Sequence, residues 1–220
     1  MDRPVNIKPP PLIDYAPPKG PVEVVHADEA LLVVVKPTGL LSVPGKDWPD
    51  CLEARLRAEY PEALTVHRLD MDTSGLMVFA RTPATQRHLG LQFERRQVAK
   101  TYLARVEGCV AGQAGFVALP LIADWPNRPL QKVCWTHGKP AHTDWRVLER
   151  GADTLLELRP RTGRSHQLRV HCREMGHPIL GDRFYGGPPA ARLMLHAAEL
   201  RLRHPEGGRW MRFASPAPFA

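Results

Sequence analysis

Beyond residue 21 the chain breaks into apolar runs of strand length separated by polar turns. Residues 22–26 and 31–36 form two such runs, parted by Ala27-Asp28-Glu29, and Pro37 closes the second, so two consecutive strands are predicted. Leu52, Leu56 and Tyr60 recur every four residues between Asp50 and Pro61. That spacing predicts a short helix with Asp50 as its cap and Pro61 as its stop. Thr82-Pro83 is a good cap and first-turn pair for a longer helix through about Arg96, with Leu89 and Phe93 facing inward.

The pattern then turns mainly to strands, over residues 98–107, 131–136, 142–148 and 154–159. A helix opening at Ser165 would carry Leu168, Cys172 and Met175 on one stripe, with Arg164, Arg169 and Arg173 beside it, and end at Gly176 ahead of Pro178. Short strands follow near residues 192–197, 199–203 and 209–213, with no internal repeat or heptad. This order is not the regular alternation of a doubly wound parallel sheet. It predicts an α+β domain over residues 21–220, with a mixed, largely antiparallel central sheet and flanking helices. Residues 1–20, with Pro4, Pro9, Pro10, Pro11, Pro17 and Pro18, read as a poorly ordered extended arm.

One segment breaks the pattern. His67-Arg68-Leu69-Asp70-Met71-Asp72-Thr73-Ser74-Gly75 places a cation and two carboxylates between an apolar approach, Ala63, Leu64 and Val66, and an apolar exit at residues 76–79. Charges between two buried-looking runs need partners or a purpose, because an unpaired buried charge costs several kcal/mol. The segment reads either as a polar turn, with Arg68 a structural partner of Asp70, or as a site. In a strand, Asp72 would share a face with Asp70.

Composition narrows the partners. Among 220 residues, 30 Lys and Arg stand against 23 Asp and Glu, a formal net charge of +7, which favours a polyanion through phosphate neutralisation. The length fits one domain with appendages. No apolar run reaches the roughly 18 residues of a membrane span, and the N-terminus lacks a signal-peptide core. Cys51, Cys109, Cys134 and Cys172 are too scattered for a disulfide framework or zinc ribbon, so a reducing cytoplasmic setting is expected. The ten histidines show no ligand spacing, and His166 and His171 read as polar or basic contributors. No metal is expected, no nucleotide-binding glycine pattern points to a cofactor, and a monomer is expected.

A second distant stretch, Arg161-Thr162-Gly163-Arg164-Ser165-His166-Gln167-Leu168-Arg169, changes the weighing. Together with His67-Arg68-Leu69-Asp70 and Thr73-Ser74-Gly75 it resembles the signatures of the RluA family of pseudouridine synthases. Lys36-Pro37-Thr38-Gly39-Leu40-Leu41-Ser42-Val43-Pro44-Gly45 resembles the family's opening motif, and Gly176-His177-Pro178-Ile179-Leu180-Gly181-Asp182-Arg183-Phe184-Tyr185-Gly186 its closing one. Asp124-Trp125-Pro126-Asn127-Arg128-Pro129, with Gln131-Lys132-Val133-Cys134, is similar to one branch, short enzymes acting on stem-loops of both 23S ribosomal RNA and transfer RNA. The resemblance runs from about Val22 to the C-terminus. It implies a pseudouridine synthase fold with an active-site cleft across the sheet. Many relatives carry an N-terminal S4 domain, for which residues 1–20 leave no room.

The resemblance also implies roles. Asp70 matches the essential aspartate, acting at the ribose as nucleophile or by taking a proton from C2′; the Thr73-Ser74 pair beside Asp72 makes a structural or supporting turn role more natural there. Arg169 matches the basic partner of that carboxylate, and Tyr102 the active-site tyrosine, a flat partner for uracil. Arg68 matches the arginine that fills the space of the flipped nucleotide, and His67 supports the turn. Arg128, Lys132, Arg161 and Arg164 are candidates for RNA backbone contact. The reaction transfers no electrons and no external group, so no cofactor is required. Two rivals remain, a catalytically silent RNA-binding module and another glycosidic-bond enzyme acting on uridine. Scoring pseudouridine and free uracil together separates all three.

Overall fold

The structure, a computed structural model, describes residues 15–220, so most of the Pro-rich arm lies outside the described residues. The last part of that stretch is tied to the domain. The Tyr15 hydroxyl donates to the Asp50 carbonyl at 2.7 Å and accepts from the Leu41 N–H at 3.1 Å, while Arg55 donates to the Pro18 carbonyl at 2.8 Å.

In chain order the elements are β1 (Glu23–Ala27), β2 (Leu31–Lys36), α1 (Leu52–Glu59), β3 (Leu64–Thr65), β4 (Ser74–Ala80), α2 (Pro83–Glu94), β5 (Ala99–Glu107), β6 (Ala114–Ala118), β7 (Leu121–Ala123), β8 (Gln131–Val133), β9 (His142–Arg150), β10 (Asp153–Pro160), α3 (Gln167–Glu174), β11 (Leu195–Arg203) and β12 (Trp210–Ala214). Ten strands make one sheet in the order β1-β2-β4-β11-β5-β10-β9-β6, with β3 beside β4 and β12 beside β11. Strands β7 and β8 form a separate hairpin. Only β4 with β11 is parallel; the sheet is mixed and largely antiparallel, as the element order predicts.

The near-continuous apolar runs of β2 and β4 follow from burial on both faces. Leu31, Val33, Leu76 and Val78 pack with Leu89 of α2, while Leu32, Val34, Met77 and Phe79 pack with Leu52 and Leu56 of α1. Leu89 has no exposed surface, so Leu89→Ala is expected to cost about 2–5 kcal/mol. The β4–β11 junction spans two aligned pairs, Ser74 with His196 and Gly75 with Ala197. Gly75 has φ +115°, and a Cβ there would lie 2.4 Å from the Ala197 carbonyl oxygen. The centre of the sheet therefore closes only around glycine.

Several local expectations are corrected. Helix α1 is capped by Cys51, whose Sγ accepts from the Ala54 N–H at 3.3 Å. Asp50 is instead drawn into a two-bond pair with Arg55, each bond 2.7 Å. Helix α3 starts at Gln167 rather than Ser165, after His166 at φ +53°. The Gln167 side chain ties that entry together, its carbonyl oxygen accepting from the Thr162 hydroxyl at 2.7 Å and the Arg164 N–H at 3.0 Å. Thr82 caps α2 and Gly176 closes α3 as read from sequence: the Gly176 and His177 N–H groups return to the Arg173 and Cys172 carbonyls. The stretches 192–197 and 199–203 merge into β11, with an irregularity between Ala197 and Glu199. β6 and β7 were not predicted.

Candidate active site

The segment carrying Asp70 is a loop entering β4, not a strand, so Asp70 and Asp72 share no strand face. Its turn is closed by the Thr73 N–H on the Asp70 carbonyl at 3.1 Å. Residues of the Lys36–Ser42 segment hold the Leu69, Met71 and Asp72 carbonyls and the Leu69 N–H. Ser42 Oγ donates to the Leu69 carbonyl at 2.7 Å and accepts from the Leu69 N–H at 3.1 Å. The Gly39 N–H reaches the Met71 carbonyl at 2.9 Å, and Thr38 Oγ1 the Asp72 carbonyl at 2.6 Å. Lys36 is wholly buried. Its ammonium spends all three donors on the Pro37, Leu40 and Met71 carbonyls at 2.8, 2.6 and 2.8 Å. Burial pushes its pKa down to about 7 against the opposing pull of Asp70 and Asp72.

A cavity of about 530 Å³ opens over this loop. Asp70, Arg68, Tyr102 and Arg169 all line it, as do Arg161 and Arg164. Arg169 is 2% exposed, not on a solvated helix face. Its Nε and Nη2 donate to the two Asp182 oxygens at 2.8 and 2.7 Å, and its Nη1 stands 3.8 Å from Asp70 Oδ2. Burial opposes the guanidinium charge, but Asp182, with smaller contributions from Asp70 and Tyr185, offsets it and the net pKa is raised. Asp182, itself wholly buried, also accepts from the Phe184 and Tyr185 N–H groups at 3.0 and 3.2 Å. Asp72 turns away to Arg183 at 3.2 Å and does not line the cavity.

Tyr102 packs against two core clusters and still lines the cavity. Burial and the Asp70 charge push its phenol pKa up, so it stays protonated at neutral pH. His166 Nε2 lies 3.9 Å from Asp70 Oδ2, and its Nδ1 is 2.7 Å from the Tyr185 hydroxyl, which accepts from the Gln131 N–H at 2.9 Å. The Tyr185 hydroxyl and Asp70 thus flank the two ring nitrogens of His166. Burial lowers the His166 pKa. His171 is buried with its Nδ1 on Thr143 Oγ1 at 2.9 Å, and burial takes its pKa down to about 4. Both histidines are polar and neutral, which corrects the basic half of the sequence reading. His67 is likewise neutral: burial and Lys100 lower it to about 3, it stacks on Phe93, and its Nε2 accepts from the Val78 N–H at 3.1 Å.

Arg128 and Lys132 do not join this cavity. They belong to the β7–β8 hairpin region, where Lys132 pairs with buried Asp124 at 3.1 Å and Arg128 lies 3.3 Å above the Trp125 ring. Arg161 lines the cavity while paired with Asp144 at 2.6 and 2.9 Å. Asp182, Lys36 and Tyr185 were missed as site residues. Each stands in a quoted motif, but no spacing ties Asp182 to Arg169 or Lys36 to Met71. Among the described residues no three His, Cys, Asp or Glu side chains cluster as a metal site, and no helix is long and apolar enough to cross a membrane.

Comparison with known proteins identifies the family. The family described as RNA pseudouridylate synthase matches residues 30–174. The chain belongs to this family, enzymes that isomerise uridine in RNA. It is 51% identical over 215 residues to the dual-specificity RNA pseudouridine synthase RluA of Escherichia coli O6:H1, covering 94% of this chain and 98% of that one. The protein of the same name from Yersinia pestis is 51% identical over 204 residues, covering 89% and 99%. Among solved structures it is similar to human RNA pseudouridylate synthase domain containing 1, with a TM-score of 0.78, 30% identity and coverage of 93% and 88%. Human RNA pseudouridylate synthase domain containing 4 gives 0.73, 25%, 89% and 88%.

Proposed function

We propose that this chain converts selected uridines in stem-loops of 23S ribosomal RNA and transfer RNA to pseudouridine, with Asp70 as the catalytic carboxylate. The observation that carries the assignment is the contrast between two neighbouring aspartates: Asp70 faces the cavity beside Arg169, while Asp72 is turned to Arg183. The dual substrate range rests on the relatives named as dual-specificity enzymes, which match along nearly their whole length.

In the reaction the N1–C1′ bond of uridine breaks, the uracil turns, C5 bonds to C1′, and the C5 proton is lost while N1 gains one. Asp70 serves either by attacking C1′ or by removing a proton from C2′. Arg169, clamped by Asp182, presents its remaining guanidinium nitrogen to Asp70 and fixes the cation beside that carboxylate. Tyr102 offers the base a flat surface, with its hydroxyl available to the C5 proton late in the reaction. Arg68, exposed at the cavity, takes the vacated place in the RNA stack. Arg161 and Arg164 meet the RNA backbone at the cavity, and Arg128 and Lys132 meet it outside. None of these steps draws on a metal or cofactor, and the protein works as a cytoplasmic monomer. Turnover is expected to survive dialysis against a chelator.

The test is position-resolved pseudouridine mapping of ribosomal and transfer RNA treated with wild type, Asp70→Asn and Asp72→Asn, with free uracil scored in parallel. Wild type and Asp72→Asn are expected to form pseudouridine and Asp70→Asn none. Activity in Asp70→Asn with a dead Asp72→Asn would move the assignment two residues along.

A further inference from the structure

Two cations on the cavity wall remain without a role. Lys100 lies two residues before Tyr102 on β5, so both side chains point to one face, about 7 Å apart along the strand. Both line the cavity. The Lys100 ammonium approaches the Arg161–Arg164 loop, where a Cβ on Gly163 would lie 3.8 Å from Nζ. Among the described residues it makes no hydrogen bond or ion pair; burial is the one influence on its pKa and lowers it. An ammonium with three donors, half-buried and without an anion, is unfavourable on its own.

Arg96 is the second. Helix α2 closes with the Arg96 N–H on the Phe93 carbonyl at 3.1 Å and the Gln97 N–H on the Gln92 carbonyl at 2.8 Å. That closure needs a left-handed residue, normally glycine. Arg96 occupies it at φ +58°, strained for an L-residue, and its exposed side chain lines the same cavity as Lys100. The unpaired Lys100 ammonium and the exposed Arg96 guanidinium, four residues apart, thus offer two cationic donors to one cavity, and an anion there would satisfy the lysine.

We propose that Lys100 and Arg96 form a phosphate site for the RNA backbone next to the extruded uridine, with Lys100 taking the phosphodiester nearest the base on Tyr102 and Arg96 the adjoining one. This rests on the reading of the cavity as the uridine site. The spacing from Tyr102 to Lys100 suits a nucleotide lying along β5, base at one end and phosphate at the other. Lys100 is then a binding and positioning residue: it fixes the sugar-phosphate so that C1′ meets Asp70.

The experiment scans single neutral methylphosphonate linkages along the loop of a uridine-bearing stem-loop that the full chain binds, and measures affinity by fluorescence anisotropy. One linkage beside the target is expected to weaken wild-type binding about tenfold, the scale of a charge-assisted bond. Lys100→Gln and Lys100→Met should each lose about tenfold on unmodified RNA, with no further loss at that linkage and the usual losses elsewhere. Arg96→Gly should raise Tm by about 2–4 °C through relief of the left-handed arginine while weakening binding and losing sensitivity to the adjoining linkage. Wild-type responses from both Lys100 variants at every linkage, or unchanged affinity in Arg96→Gly, would overturn the site. Pseudouridine is scored in the same samples: binding that obeys this pattern without pseudouridine would sink the enzymatic reading and keep the phosphate site. Normal pseudouridine without the pattern would do the reverse.

Discussion

Asp182→Asn is the most revealing single change. The wild-type carboxylate has no exposed surface and accepts four hydrogen bonds, two from Arg169 and two from the Phe184 and Tyr185 backbone. Asparagine keeps the shape but replaces one acceptor oxygen by an NH2 group facing donors, and it removes the charge that balances Arg169. Breaking a buried pair from one side costs about 3–5 kcal/mol, which in a chain of this size lowers Tm by roughly 6–20 °C. The nearest remaining carboxylate to Arg169 is Asp70, 3.8 Å away, so the guanidinium is expected to shift towards it and turnover to fall as well. Urea denaturation and single-turnover kinetics measure the two effects. The double variant Arg169→Met with Asp182→Leu separates them, because an apolar replacement of the whole pair should recover most of the stability and none of the turnover. An Asp182→Asn protein within about 1 kcal/mol of wild type, or a double variant no more stable than the single one, would refute the idea that this pair anchors the site.

Other expectations follow from the same geometry. Arg68→Ala should depress turnover through base extrusion, and Arg68→Lys should recover little, because a compact ammonium does not stack as a plane; a fluorescent base analogue beside the target reports flipping. Tyr102→Phe should retain RNA affinity yet slow turnover, and a wild-type rate in single-turnover assays would remove the phenol from the chemistry. His171 and His196 are buried with pKa values held near about 4, below the ordinary 6.5. The unfolded chain then binds more protons between those values, so stability is complete above about pH 6.5 and is lost as pH falls towards 4, by up to about 2 kcal/mol per histidine at pH 5. Denaturant titrations at pH 7 and 5 check this, and His171→Gln should shallow the dependence. Gly75→Ala should cost more than about 3 kcal/mol, since its Cβ would collide with the Ala197 carbonyl at the β4–β11 junction; a Tm like that of wild type would show that the junction opens freely.

What was legible in the sequence is what local chemistry decides. Thr82-Pro83 caps its helix and Gly176 closes another because both devices act within one turn. The start of α3 was misplaced because the entry is organised by the Gln167 amide, which binds Thr162, Thr143 and the His142 carbonyl, the last two more than 20 residues away. β11 read as two strands because its irregularity after Ala197 is imposed by pairing with β5. Lys36 looked like the polar end of an apolar run. Its three carbonyl partners include Met71, 35 residues on, and no periodicity carries that information.

The Asp70 loop shows how one anchor sets two residues of the motif on the cavity although the local prediction was incomplete. Leu69, 6% exposed, is fixed at both its N–H and its carbonyl by the single hydroxyl of Ser42. With Leu69 held in the core, its neighbours Arg68 and Asp70 are both left to line the cavity. The residue proposed to enter the RNA stack and the one proposed to meet C1′ are thus set by one apolar anchor. Loosening that anchor should affect extrusion and chemistry together, whereas changes at Arg68 or Tyr102 should affect them apart. Ser42→Ala tests this: it removes both bonds to Leu69 at a cost of roughly 1–3 kcal/mol for the groups left unpaired. Base flipping and single-turnover rate are expected to fall in parallel, and a loss confined to either would show that Arg68 and Asp70 are positioned independently.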